Sequence, residues 1–201
     1  MRRLICIPIV HTPADLGSHQ DMAREAYIAR YGAQQWGQHL EMLAQLWDRI
    51  RQRVLALPVD FTTVRLYQDG LPICGHELAI VQTLAPEGSS NHQLLLDLVN
   101  RGALLMGTED PALLLQERDR LRQQRTAQPT PGAGEQPLYD ALMAQRDALI
   151  ANRIASTLAA GELGLLFIGA LHRVVERLPA DIAVYSLLDD REQSTQVEQR
   201  A

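Results

Sequence analysis

Five short apolar runs, separated by longer stretches with helical spacing, constrain the fold of this chain more than any other feature. The runs lie at 4–10, 61–67, 103–106, 165–168 and 182–187. The first, Leu4-Ile5-Cys6-Ile7-Pro8-Ile9-Val10, has apolar residues at every position, as a strand covered on both faces requires. Between runs, apolar residues recur in steps of 3 and 4. In 34–57 they are Trp36, Leu40, Leu43, Trp47, Ile50, Val54 and Leu57, one stripe of a long helix closed by Pro58. Strands alternating with helices predict an α/β class: a single domain with a central, mostly parallel sheet of about five strands flanked by long helices.

Local signals place the boundaries. Ser18 followed by Asp21 predicts a helix start, and helices are expected near 74–84 and 91–101, the latter stopped by Arg101-Gly102. Asp110-Pro111 pairs a capping carboxylate with proline at the first helical position, so a helix should run from there to about Gln124. Another should span 138–160, ended by Gly161. Pro8 argues that the first strand is incompletely laddered or lies near an edge. The Pro- and Gly-rich stretch 128–137 is expected to be a mobile surface loop within a domain spanning 1–188, and the polar segment 189–201 a disordered tail. Trp36 and Trp47 suit core packing better than a cofactor platform.

Composition removes several chemistries. The chain has 201 residues, and all 19 of its Lys+Arg positions are arginine, so lysine Schiff bases, a P-loop lysine and a lysine general base are excluded. The formal net charge of −5 leaves no basic footprint for nucleic acid. Cys6 and Cys74 are too far apart for a CxxC motif and fit free thiols in a reducing compartment. The opening Met1-Arg2-Arg3 and its apolar run are too short, and lack the cleavage site, for a signal peptide. The apolar run 163–171 is far below the roughly 20 residues of a membrane span. A cytoplasmic protein without membrane or nucleic-acid partners is the expectation. There is no GxSxG elbow, dinucleotide fingerprint or Gly-rich phosphate loop.

In parallel sheets, ligands bind beyond the carboxyl ends of the strands. Four expected strand exits carry polar groups here: His11, Asp69, Glu109-Asp110 and His172. Two histidines and a carboxylate with an open position suit a catalytic divalent metal. Hydrogen bonding of each histidine to backbone at a strand end is the plainer alternative. Asp69, in Asp69-Gly70, is a candidate metal ligand or general base, although Asp-Gly is also an ordinary turn. Glu109 is a candidate base, and Asp110 a helix cap. Asp15, four residues after His11, reaches either the same pocket or solvent. Arg146 and Arg153, seven apart, share a helix face and could hold an anionic group or an oxyanion, or form structural ion pairs.

These residues resemble a family. Ile9-Val10-His11-Thr12 resembles the first Gly-x-x-His motif of the TraB/TIKI/GumN group, with Pro8 in place of its glycine, and Gly169-Ala170-Leu171-His172 matches the second. The segment Gln145-Arg146-Asp147 onward to Arg153-Ile154 resembles that group's Glu-Arg-Asn helix, and Asp69 falls where it carries an acidic residue. The whole chain is also similar to a set of prokaryotic proteins that open on His-Thr-x-Ala-Asp and end on Gly-Ala-x-His. The resemblance implies a metal-dependent hydrolase fold with His11 and His172 as ligands.

The leading expectation is therefore a hydrolase with a divalent metal held by His11, His172 and a carboxylate, Asp69 or Glu109, acting on a small-molecule or peptide substrate through an amide or ester bond. Arg146 or Arg153 would hold the substrate's anionic group. A non-catalytic small-molecule-binding or regulatory protein on the same fold is the alternative, with the stripe of the 34–57 helix as a candidate homo-oligomer seam. A metal-free acid–base enzyme using His172 with Asp69 is the third.

Overall fold

The computed structural model describes residues 1–10, 12, 15, 20–126 and 135–188. His11, Ser18, most of the expected 128–137 loop and the 189–201 tail lie outside them. The chain begins with strand β1 (Arg2–Ile9), followed by helices α1 (Gln20–Tyr31) and α2 (Ala33–Leu55) and strand β2 (Val64–Gln68). Helices α3 (Glu77–Leu84) and α4 (Ser90–Asn100) lead to β3 (Leu104–Met106). Helices α5 (Pro111–Thr126) and α6 (Glu135–Thr157), then β4 (Leu163–Gly169) and β5 (Ile182–Ser186), complete it. The strands form one sheet in the order β3-β2-β4-β1-β5, and every pairing is parallel. The α/β expectation is met.

The sheet is covered on both faces, and strand periodicity sorts the side chains between them. Ile7, Ile9, Leu66, Leu165 and Phe167 point to one face, packed against Trp47, Ile50 and Val54 of α2 and Leu94, Leu95 and Leu98 of α4. Leu4, Tyr67 and Leu166 point to the other, packed against Ile150, Ala151 and Ile154 of α6. With roughly 25 cal/mol per Å² of apolar surface removed from water, these two layers are the main stabilising term. Tyr67 is fully buried, and its hydroxyl is matched by Thr157 Oγ1 at 2.9 Å.

Several boundaries differ from expectation for local reasons. Residues 61–63 form a 3₁₀ turn, because the Asp60 carboxylate accepts from the Thr62 N–H and starts a helical turn before β2. Of the two readings of Pro8, incomplete laddering holds and the edge position does not, since β1 lies between β4 and β5. The missing N–H of Pro8 is tolerated because β5 pairs with β1 only as far as Cys6↔Ser186, so beyond Cys6 that side of β1 has no ladder. Helix α6 starts at Glu135, three residues before the expected position. Trp47 is in the core and donates to the Val10 carbonyl at 3.0 Å, whereas Trp36 is half-buried against Tyr27 of α1.

Gly107, just past β3, is a close-approach site. A Cβ there would lie 2.6 Å from the Pro72 carbonyl oxygen and 2.9 Å from Ile73 Cα, both backbone atoms. Gly107→Ala should therefore destabilise the fold by about 1–3 kcal/mol in urea unfolding. A variant as stable as the parent would show that this loop is loosely held.

Candidate functional site

All five strands run the same way, so their carboxyl ends share one edge of the sheet. Around β4 the chain order reverses: β2 is on one side and β1 on the other, the arrangement that opens a crevice in such sheets. Asp69 directly follows β2, Gly169 ends β4, and His172 follows three residues later. Glu109 follows β3, and Arg146 and Asp147 come from α6. The register brings them together. The Asp69 N–H donates to the Phe167 carbonyl at 2.9 Å, extending the β2–β4 ladder, and Asp69 Oδ2 accepts from the Gly169 N–H at 3.1 Å. A Cβ on Gly169 would sit 3.1 Å from that same oxygen, so glycine there permits the approach.

His172 is held from both sides. Its Nδ1 is 2.6 Å from Asp147 Oδ1, and its Nε2 is 3.2 Å from Asp69 Oδ1. A carboxylate at each ring nitrogen favours a proton on both, the imidazolium form. Burial alone would lower the His172 pKa. The hydrogen bond and charge of Asp69, with the bond to Asp147, outweigh burial and push it up to about 9. Asp147 is itself fixed, because its Oδ2 accepts from the Arg173 N–H at 2.9 Å. Burial would raise Asp69, but His172, Glu109 and Arg146 together hold it down at about 2.

Arg146 is the second cation, and its side chain is 4% exposed. Its Nε donates to Glu109 Oε2, and one terminal nitrogen donates to Glu109 Oε1 at 2.8 Å and Asp69 Oδ1 at 3.1 Å. The other lies 2.6 Å from Glu117 Oε2 and 3.6 Å from the Met143 sulfur. Nε and one terminal nitrogen therefore place their hydrogen bonds on carboxylates, and the other terminal nitrogen is held by the Glu117 ion pair and the Met143 sulfur. Burial and the nearby Asp69 charge push Glu109 up, against the pull of Arg146. Glu109 Oε1 also accepts from Gly70 N–H at 2.7 Å, where φ of +76° requires glycine and shapes the Asp69-Gly70 turn.

Beside this network is a cavity of about 340 Å³, lined among others by Ile9, Asp69, Glu117, Arg146, Gly169 and His172. Of the expected site residues, Asp69, Glu109, Arg146 and His172 meet here. Arg153 does not: its Nε donates to the Gly107 carbonyl at 3.1 Å, two helical turns from Arg146, and braces the β3 exit. His11 lies outside the described residues. Asp110 caps α5 through the Ala112 N–H at 2.7 Å.

Sequence reasoning assigned no site role to Asp147 or Glu117. The signal for Asp147 was present: the buried positions of α6 are Leu142, Met143, Arg146, Asp147, Ile150, Ala151 and Ile154, a charged pair within an otherwise apolar stripe.

The donor set can be tested against a metal. Among the described residues, no group of three His, Cys, Asp or Glu side chains could hold an ion. Glu109 turns its oxygens to Arg146 and Gly70. His172 and Asp69 are two donors, short of the three protein ligands of a typical catalytic zinc site. The described residues thus do not by themselves constitute a metal centre. Comparisons of the chain with family models, curated proteins and solved structures found no match.

Two outcomes follow from this electrostatic arrangement. Arg146→Met leaves buried carboxylates without their cation and should cost about 3–5 kcal/mol in urea unfolding, with Arg146→Lys restoring little because one ammonium cannot span three carboxylates. The folded His172 pKa, about 9, lies above its ordinary 6.5. Its ionic contacts therefore stabilise fully below about pH 6.5 and lose that effect as pH rises through 9. The stability gap between the parent and His172→Gln should narrow between about pH 6 and 10, and a constant gap would refute the assignment.

Proposed function

We propose that this chain is a hydrolase of amide or ester bonds in which His172 and Asp69 move the protons. One observation carries the reading: a buried carboxylate, Asp147, fixes Nδ1 of His172, while Nε2 faces Asp69 at the wall of a cavity on the carboxyl edge of the sheet. The 340 Å³ volume is in the ordinary range for small-molecule sites.

The residues divide the work by charge. A water held by the Asp69 carboxylate attacks the acyl carbon and gives its proton to that carboxylate. The Nε2 proton of His172 goes to the departing amine or alkoxide, which is a strong base and needs one. The proton on Asp69 then crosses to Nε2 over the 3.2 Å contact, and the site returns to its starting state. Asp147 keeps the ring oriented throughout. Arg146 is a positioning residue, because its charge is already engaged by Glu109, Asp69 and Glu117.

A metal-dependent version is the second reading. A spacing of 3.2 Å between Nε2 and Oδ1 suits two ligands of one ion, and a carboxylate behind Nδ1 is the usual support of a ligating histidine. It requires His11 as the further ligand, as the resemblance to the TraB/TIKI/GumN group implies.

The test is a screen of chromogenic esters and anilides with the parent, His172→Gln and Asp69→Asn, with and without chelator, beside metal analysis of tag-free protein. Turnover unaffected by chelator, lowered at least about a hundredfold in both variants and falling as pH rises through about 9, is the expected result. Stoichiometric metal lost in His11→Ala and His172→Ala would replace it with the metal reading. No turnover with any substrate, and no metal, would leave a binding protein on this fold.

A further inference from the structure

Asp69 and Gly70 form the wall of a second cavity, of about 210 Å³, on the side of the turn facing α3 and α4. Its lining combines two kinds of surface. Leu71, Ile80 and Leu84 are apolar, and Asp15, Asn91, Ser89 and His92 are polar.

Two acceptors in this lining have no hydrogen bond: Asp15 Oδ1 and Asn91 Oδ1. Both side chains are more than nine-tenths buried, Asn91 at 3% exposure and the Asp15 side chain at 7%. Their orientation is set by neighbours. Asp15 Oδ2 accepts from the Thr12 N–H at 2.6 Å and the Thr12 hydroxyl at 2.9 Å, which leaves Oδ1 for the cavity side. The Gln68 amide nitrogen donates to the Asp69 carbonyl at 2.8 Å, so Gln68 Oε1 is the acceptor for the Asn91 amide nitrogen at 3.0 Å. That chain of bonds makes the remaining Asn91 atom an oxygen. His92 Nδ1 is 4.0 Å from Asp15 Oδ1, an ion-pair distance when the ring is protonated but no hydrogen bond, and 2.7 Å from Ser89 Oγ.

A buried carboxylate oxygen and a buried amide oxygen without donors are each costly, and the carboxylate asks for a cation. We propose that this cavity is a subsite for a primary ammonium group on a short alkyl stem. The ammonium supplies N–H donors to the unmatched Asp15 and Asn91 oxygens, and Leu71, Ile80 and Leu84 take the stem. The inference rests on the hydrolase reading for its place in catalysis. Because the two cavities share Asp69 and Gly70, a substrate anchored by its ammonium in one presents its amide or ester bond to His172 in the other.

The experiment uses n-propylammonium as the probe and n-propanol as its neutral counterpart, followed by amide chemical shifts of the isotope-labelled full chain. Saturable shifts at Gly70, Asn91 and His92 with the ammonium, and binding of the alcohol weaker by about tenfold or more, are expected. The isosteric Asp15→Asn should weaken ammonium binding by about tenfold while leaving thermal unfolding near that of the parent. Asn91→Leu is a second variant with the same expected loss. Equal binding of alcohol and ammonium, no shifts at these residues, or unchanged binding in a folded Asp15→Asn would overturn the subsite and assign the cavity to water. Ammonium binding without turnover of any ester would keep the subsite and remove the hydrolase reading. Turnover that is indifferent to an aminoalkyl group in the substrate, with no ammonium binding, would do the reverse.

Discussion

The buried guanidinium of Arg146 is the interaction on which the carboxyl edge of this protein depends. It joins α6 to the exit of β2 through Asp69, to the exit of β3 through Glu109 and to α5 through Glu117. Three carboxylates this close would repel one another and resist burial without a cation among them. Only a planar fork with five donors can face all three at once, which is why arginine occupies the position. The helix supplying it is anchored by Ile150 and Ile154 against Leu4 and Leu166. Apolar packing thereby sets where the charge sits, and the charge sets where the carboxylates point.

His172 inherits its state from this arrangement. Asp69 shares one oxygen between Arg146 and His172, so the cations are coupled through a common acceptor. The neighbouring residue on α6, Asp147, grips the other side of the ring. A single helical turn thus contributes the group that organises the carboxylates and the group that orients the imidazole. Gly169 and Gly70 provide the close backbone approaches that let Asp69 and Glu109 accept main-chain N–H donors as well. Each member of the network is therefore constrained from at least two directions, the condition for a preorganised site.

Much of the architecture was legible in advance because it follows from periodicity. The apolar runs at 4–10 and 165–168 became β1 and β4, and the stripe Leu43, Trp47, Ile50 and Val54 became the buried side of α2. Local rules failed where a neighbour decided the outcome. Residues 61–63 have strand composition, yet the Asp60 cap turned them into a 3₁₀ turn. Pro8 signals incomplete laddering or an edge position; the first holds, inside the sheet, because β5 stops at Ser186. For the site, the rule that ligands gather at strand exits selected Asp69, Glu109 and His172. It paired Arg146 with Arg153 because both lie on one helix face. Their partners differ, carboxylates for one and the Gly107 carbonyl for the other, because they lie two helical turns apart along α6.

The division between the two sources of information has a physical basis. Alternation of short apolar runs with amphipathic stretches is a one-dimensional pattern, and burial of both sheet faces follows from it directly. The sequence by itself therefore determined the α/β class, the order of elements and the edge on which polar groups collect. Which of those groups touch was decided by strand order and register, where residues such as Asp69 and Gly169 meet 100 positions apart. The protonation of His172 was decided there too, because an imidazole takes its charge from the carboxylates that three-dimensional packing places beside it. The two unmatched oxygens of Asp15 and Asn91 belong to the same category. No spacing in the chain marks an acceptor as lacking a donor, since that property exists only once the surrounding surface has closed around it.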